Sequence, residues 1–153
     1  AVRPGFTFNA PWKPSITLWG EALSGDGTAH GTFDTLFATN HKFYGEMDFF
    51  LVTTAHTGNL GLVDAGGRVA VKPTARLGLH VDVHQLMSME ADKNDKKSFG
   101  TEIDVKLVAK VHENVTVRAL YGIMLSGDTL GAVNRVGSPE TEQLAYLTVD
   151  TVF

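Results

Sequence analysis

The 153-residue sequence contains no cysteine, which excludes a disulfide scaffold, a thiolate metal site and a cysteine nucleophile. Long apolar runs are also missing, because no window approaches the roughly 20 consecutive apolar residues that a membrane-spanning helix needs. Charged residues make up 20% and hydrophobic residues 43% of the chain, which argues against a disordered tail. The formal net charge of −4 and the lack of a basic sequence cluster argue against nucleic acid as a partner.

Motifs that would indicate an enzyme are also lacking. No Gly-rich phosphate loop precedes a helical pattern, and Ser24-Gly25-Asp26 is interpreted as the start of a loop rather than a nucleophile elbow. We therefore expect no enzyme, no cofactor, no catalytic residue and no metal ligand. The first residues, 1–4, have no apolar segment of the signal-peptide kind, as expected either for an exported protein after processing or for a fragment.

Apolar and polar residues alternate along much of the chain, with the period of a β-strand that has one apolar and one polar face. The clearest example is the segment 101–111, in which Ile103, Val105 and Leu107 alternate with Glu102, Asp104 and Lys106. Similar patterns predict seven strands, at residues 6–8, 15–24, 65–72, 75–84, 101–111, 115–126 and 143–153. The sequence thus predicts an all-β, antiparallel fold with a single domain over residues 1–153.

The connections between these strands alternate in length. Short turns are predicted at Lys13-Pro14, Pro73-Thr74 and residues 112–114, and long polar connections at 25–59, 88–98 and 127–142. Outer-membrane β-barrels have short turns on one side and long loops on the other, and strands of about 9–11 residues cross the bilayer. Because single-chain bacterial barrels normally have an even number of strands, the odd count favours a chain that forms part of a larger barrel.

The segment 32–50, TFDTLFATNHKFYGEMDFF, resembles a stretch of the alginate export family of outer-membrane proteins, close to FDPL…HK-F/Y-YG-x-x-D. Family members continue with a Lys-Pro hairpin strand, here Val71-Lys72-Pro73, and a terminal aromatic strand. The resemblance covers about residues 15–153, with Thr35 in place of the usual proline. It implies a transmembrane barrel of about eighteen strands, of which this chain would be the C-terminal portion. The family's substrate does not carry over.

These patterns together predict a porin-like channel in the bacterial outer membrane that passes polar or anionic solutes, with polysaccharide export as one candidate. The expected partners are the lipid bilayer, lipopolysaccharide, the solutes and the outer-membrane assembly machinery, which would recognise the C-terminal Phe153. The alternative is a soluble β-sandwich or lipocalin-like binding protein, in which the apolar faces would form an internal core. Alternation alone does not separate these two arrangements.

Basic residues on the polar faces are the candidate lumen and solute contacts, because rings of charge set the selectivity of a pore. The candidates are Arg68, Lys72, Arg76, Lys106, Lys110 and Arg118, with His41 and Lys42 from the segment that resembles the family. A mixed ladder of cross-strand ion pairs, with Asp82, Glu102, Asp104 and Asp150 as the acidic partners, is the alternative role.

Two further groups of residues have open interpretations. His80, Asp82 and His84 share one strand face, but the two histidines would be about 13 Å apart, too far for one metal ion, so ordinary lumen lining is expected. The aromatic residues Trp12, Trp19, Phe49 and Phe50 are expected either in the interfacial girdles of a barrel or packed against a loop.

Overall fold

Seven antiparallel strands form one continuous sheet in the computed structural model, which describes residues 1–36, 39–133 and 141–152. The strands lie side by side in chain order, so the sheet is a simple meander. They are β1 Gly5–Thr7, β2 Ser15–Leu23, β3 Leu62–Thr74, β4 Leu77–Met87, β5 Ser98–His112, β6 Val115–Ser126 and β7 Thr141–Thr151. Helix α1 (Thr53–His56) lies between β2 and β3, and α2 (Asp128–Ala132) follows β6. The predicted all-β, antiparallel fold is confirmed.

The sheet has two open edges. Among the described residues, β1 is hydrogen-bonded only to β2, and β7 only to β6. Closure into a barrel therefore remains a prediction. Phe153 lies outside the described residues, and its recognition by the assembly machinery also remains a prediction. In the described part of the chain, neither helix has the length or the apolar run needed to cross a bilayer.

The strands lie where the alternation predicts them, although β3, β4 and β5 extend beyond the predicted bounds and the β3–β4 turn is shifted. The turn consists of Ala75 and Arg76, whereas Pro73 and Thr74 still belong to β3. A register shift between Val71 and Thr74 explains the difference, because a bulge accommodates a proline that has no N–H to donate to the ladder. The predicted short connection between β5 and β6 is confirmed at residues 113–114.

The apolar face of the sheet is exposed and the charged face is covered, the reverse of the usual arrangement. Large apolar side chains on one face are exposed to solvent, including Val69, Leu107 and Leu147 at 55%, 41% and 67%. The opposite face carries the charged residues and is covered by the long connection between β2 and β3. Asp82 and Glu102 on that face are only 3% and 0% exposed.

A small apolar core lies at the long-loop end of this covered face. Leu62, Leu86 and Met124 point from the strands, and Phe50 and Leu130 pack on them from the two loops that contain the helices. Burying these side chains favours folding of the loops onto the sheet by roughly 1.5–3 kcal/mol each. The core therefore fixes the long connection over the middle of the sheet, where the charged residues lie.

Candidate functional site on the polar face of the sheet

In the described part of the chain, the strands place four almost fully buried acidic side chains at the middle of the covered face. They are Asp64, Asp82, Glu102 and Asp104, with 2%, 3%, 0% and 1% of their surface exposed. All four lie on β3, β4 and β5 with their side chains on the covered face. Asp82 of β4 is directly opposite Asp104 of β5. Like charges in that position repel one another, so each carboxylate needs partners.

Asp64 has two partners on neighbouring strands. The indole Nε1 of Trp19 donates a hydrogen bond of 3.1 Å to its carboxylate, and His84 Nδ1 lies 3.0 Å from both carboxylate oxygens. The Trp19 and His84 rings also contact each other in a tilted arrangement, with their centroids 4.7 Å apart. Trp19 thus lies on the polar face rather than in an interfacial girdle. Phe49 and Phe50 are buried in the apolar core, which confirms loop packing for these two residues.

Asp82 is bound by Arg68 through two hydrogen bonds, from Nε at 2.6 Å and from one terminal nitrogen at 2.5 Å. The two residues are directly opposite each other in β3 and β4, so the strand register itself creates this bidentate pair. Among the described ion pairs, Arg68 is the basic candidate that neutralises a buried strand carboxylate. Its side chain also lines a cavity.

Residues 41–50, called the seated segment below, are the part of the long connection that contacts the carboxylates. The Met47 amide donates to Glu102 Oε1 at 2.9 Å, and the Glu46 amide makes a longer contact of 3.4 Å with Asp104 Oδ2. Gly45, with a φ of +94°, lies directly against the Glu102 carboxylate. Backbone donors of the segment thus supply part of the hydrogen bonding that the buried strand carboxylates require.

The Glu46 side chain ties the same segment to two more strand residues. It forms an ion pair with Lys106 of β5, and the Tyr146 hydroxyl of β7 donates a hydrogen bond of 2.9 Å to its Oε2. The His41 ring packs at a tilt against the Tyr146 ring, with a centroid distance of 4.6 Å. His41 also lies 3.0 Å from the carboxylate of Asp48, so it connects both ends of the segment.

Tyr44 lies on the side of the seated segment that faces β2. Its hydroxyl lies 3.4 Å from Glu21, and partial burial, together with the charge of that carboxylate, raises the pKa of Tyr44 to about 12. The phenol therefore remains neutral and available as a hydrogen-bond donor over the physiological pH range.

A cavity of about 260 Å³ opens between the seated segment and strands β2 to β4. Three cationic side chains line it, Arg3, Lys42 and Arg68, together with the aromatic rings of Trp19 and Tyr44. The Arg3 guanidinium lies 5.2 Å from the centroid of the Trp19 ring. Of the predicted contacts, this cavity brings together Lys42 and Arg68.

A second cavity, of about 340 Å³, lies at the short-turn end of the same face. Lys72, Arg76 and Lys110 line it with His80, and none of the acidic residues that the structure describes is part of its lining. None of these three cations has an ion pair with any residue that the structure describes. The charge on the covered face is thus divided, with buried carboxylates in the middle and unpaired cations at the turn end.

Of the other candidates, Arg118 lines neither cavity. Arg118 forms an exposed cross-strand ion pair with Asp150, which fits the predicted ladder of charges. His80 lies on the second cavity, whereas Asp82 and His84 have separate partners on β3. Within residues 1–36, 39–133 and 141–152, no group of three or more His, Asp or Glu side chains could hold a metal ion.

Asp64 and Glu46 are the central site residues that sequence reasoning missed. Asp64 precedes the predicted start of the third strand at residue 65, but it continues the alternation of Gly66 and Arg68 by one step. Extending that pattern would have placed Asp64 on the polar face. Glu46 lies in a segment without periodicity, so no signal in the sequence indicated its contact with Lys106.

The two arginine–aspartate pairs differ in burial, and this gives a matched test. Replacing Arg68 with Gln (R68Q) leaves the buried Asp82 without its cation, so we expect the free energy of unfolding to fall by about 1–3 kcal/mol. The corresponding R118Q change removes an exposed pair and should cost about 1 kcal/mol or less. Denaturant titration of both variants measures the difference. Equal losses would show that Asp82 does not depend on Arg68.

No family model matches the chain, and no curated protein and no solved structure matches it either. The fold and site define the class only at the level of an antiparallel seven-stranded sheet with a charged, loop-covered face. The resemblance of residues 32–50 to the alginate export family therefore remains a prediction.

Proposed function

We propose that this chain forms part of an outer-membrane β-barrel channel that passes polar or anionic solutes. The observation that supports it is the reversed burial of the sheet, with charged residues on the covered face and aliphatic residues on the exposed face. A soluble sandwich or lipocalin-like barrel would bury the aliphatic face instead. In a membrane, lipid would cover these aliphatic side chains, and the charged face would line an aqueous lumen.

The open edges of the sheet fit the same proposal. β7 has eleven residues and no partner on its outer side among the described strands. Unpaired backbone N–H and C=O groups are costly in hydrocarbon, so a membrane-embedded sheet must close. Additional strands of a larger barrel would pair both edges. Polysaccharide is one candidate solute, and lipopolysaccharide would contact the outer rim.

Detergent dependence and conductance test this proposal. The full-length protein, refolded with and without detergent, should give a β-rich, heat-modifiable species only with detergent, and it should conduct ions in planar bilayers. A monodisperse, cooperatively unfolding monomer in plain buffer would instead show that the aliphatic face is covered within a soluble protein, which is the alternative function.

Ion selectivity tests the preference for anions. In a salt gradient, the reversal potential should indicate a preference for anions over cations, because Lys72, Arg76 and Lys110 have no ion-pair partner among the described residues and would add positive charge to the lumen face. The triple change K72Q/R76Q/K110Q should reduce or abolish that preference. The control K93Q/K96Q/K97Q removes the same charge from an exposed loop and should have little effect. Equal effects of both triple variants would contradict the assignment of the turn-end cations to the lumen.

A further inference from the structure

We propose that Glu102 and Asp104 share a single proton, and that loss of this proton releases the seated segment, residues 41–50, from the sheet. The two side chains lie two residues apart on the same face of β5. Their carboxyl groups meet adjacent backbone N–H groups of the segment, Glu102 that of Met47 and Asp104 that of Glu46. This inference concerns the attachment of the segment and does not require that the protein conducts.

The unsatisfied oxygens of the pair support a shared proton. Glu102 and Asp104 are 0% and 1% exposed, and Glu102 Oε2 and Asp104 Oδ1 have no hydrogen-bond donor among the described residues. The other oxygen of each carboxyl group accepts a backbone N–H, from Met47 and Glu46 respectively. Two adjacent buried carboxylates repel each other, and one shared proton both removes a charge and supplies the missing donor.

The charged groups around the pair do not remove the need for that proton. Among the described residues, the basic side chains near the pair have other partners: Lys106 pairs with Glu46 and Arg68 with Asp82, and His84 lies against Asp64. β6 contributes Gly122 and Met124 opposite the pair, which carry no charge. β7 contributes the neutral hydroxyl of Tyr146, which is directed at Glu46. The surrounding carboxylates, Glu46, Asp64 and Asp82, add to the repulsion.

The position of the segment affects the protonation of Glu102 and Asp104, because the seated segment shields both carboxyl groups from water. In the released state both carboxyl groups would meet water and ionise, so the seated state holds one more proton than the released state. Raising the pH therefore favours release, and the ratio of released to seated protein should rise about tenfold per pH unit. This ratio stops rising at the pH at which the pair loses its shared proton even in the seated state.

Fluorescence can follow this equilibrium, because the chain has no cysteine and a single one can be introduced. Lys42 and Trp19 line the same cavity, so a bimane label on K42C should be quenched by the indole while the segment is seated. In a titration of the full-length, folded protein from about pH 5 to about pH 9, we expect emission to increase with the slope of one proton. Emission that stays constant over this range would overturn the proposal.

The variant E102Q makes the test specific. Its amide can accept from Met47 and donate to Asp104, which reproduces the protonated pair at every pH. We expect the label to remain quenched across the whole range, with a circular dichroism spectrum that matches the unsubstituted protein. The control E113Q changes an exposed carboxylate in the β5–β6 turn and should keep the one-proton slope. An E102Q protein with the same slope as E113Q would show that another group controls the segment.

Discussion

Replacing Leu107 with lysine (L107K) should lower the free energy of unfolding by about 2–4 kcal/mol when the protein is folded in lipid vesicles. Leu107 lies near the middle of the exposed aliphatic row of β5, between Leu79 of β4 and Ala119 of β6. A lysine at the midplane of a bilayer must carry its charge into hydrocarbon or extend to the interface. The measurement is a reversible denaturant titration of both proteins in vesicles of the same lipid.

The same substitution has almost no effect if this face contacts water. Exposed positions away from special contacts tolerate substitution within about 0.5 kcal/mol, and Leu107 is 41% exposed in the isolated chain. V111K provides the depth control, since Val111 lies near the β5–β6 turn and should cost only about 0–1 kcal/mol in a bilayer. Similar small losses for both lysine variants would contradict a membrane-embedded face.

The alternation of residues was enough to predict the strands and the assignment of side chains to faces. In β5, the sequence placed Glu102, Asp104 and Lys106 together opposite Val105 and Leu107, and the burial of these residues agrees. Period two makes this assignment reliable, because a shift by one residue would exchange the whole set. It did not reveal which face is covered, since a sandwich and a barrel produce the same alternation.

The contacts of the long connection could not be predicted in the same way. Glu46 and Lys106 are sixty residues apart in the chain and form an ion pair only because the apolar core fixes the loop. A segment with no periodicity gives no register, so its partners depend on tertiary packing. Pro73 shows a smaller failure of the same kind, because a bulge, which the pattern does not encode, allowed β3 to continue through the proline.

The covered face therefore combines two kinds of charge that have different roles. The buried carboxylates in the middle are bound by strand cations and by the seated segment, so they position the loop. Lys72, Arg76 and Lys110 have no such partners in the described residues and are accessible at the turn end. Substituting the first group should change the position of the segment, whereas substituting the second should change the choice of ion.

The change G45A should release the seated segment without unfolding the sheet. Gly45 has a φ of +94°, and a Cβ there would overlap the Glu102 carboxylate. A left-handed backbone and overpacking against a fully buried side chain each cost about 1–3 kcal/mol, so seating should weaken by at least about 2 kcal/mol. That corresponds to a roughly thirtyfold larger released population. Limited trypsin cleavage after Lys42 measures it, because cleavage follows the population of the open form.

The variant G27A separates backbone strain from the overlap with Glu102. Gly27 has a similar φ of +81° in the same long connection, but a Cβ there meets no atom within 4 Å. Its backbone strain lies away from the carboxylates, so the rate of cleavage after Lys42 should stay close to that of the unsubstituted protein. Thermal melts followed by circular dichroism should show the same sheet in both variants. If G45A is cleaved no faster than G27A, then the contact between the segment and Glu102 does not keep the segment on the sheet.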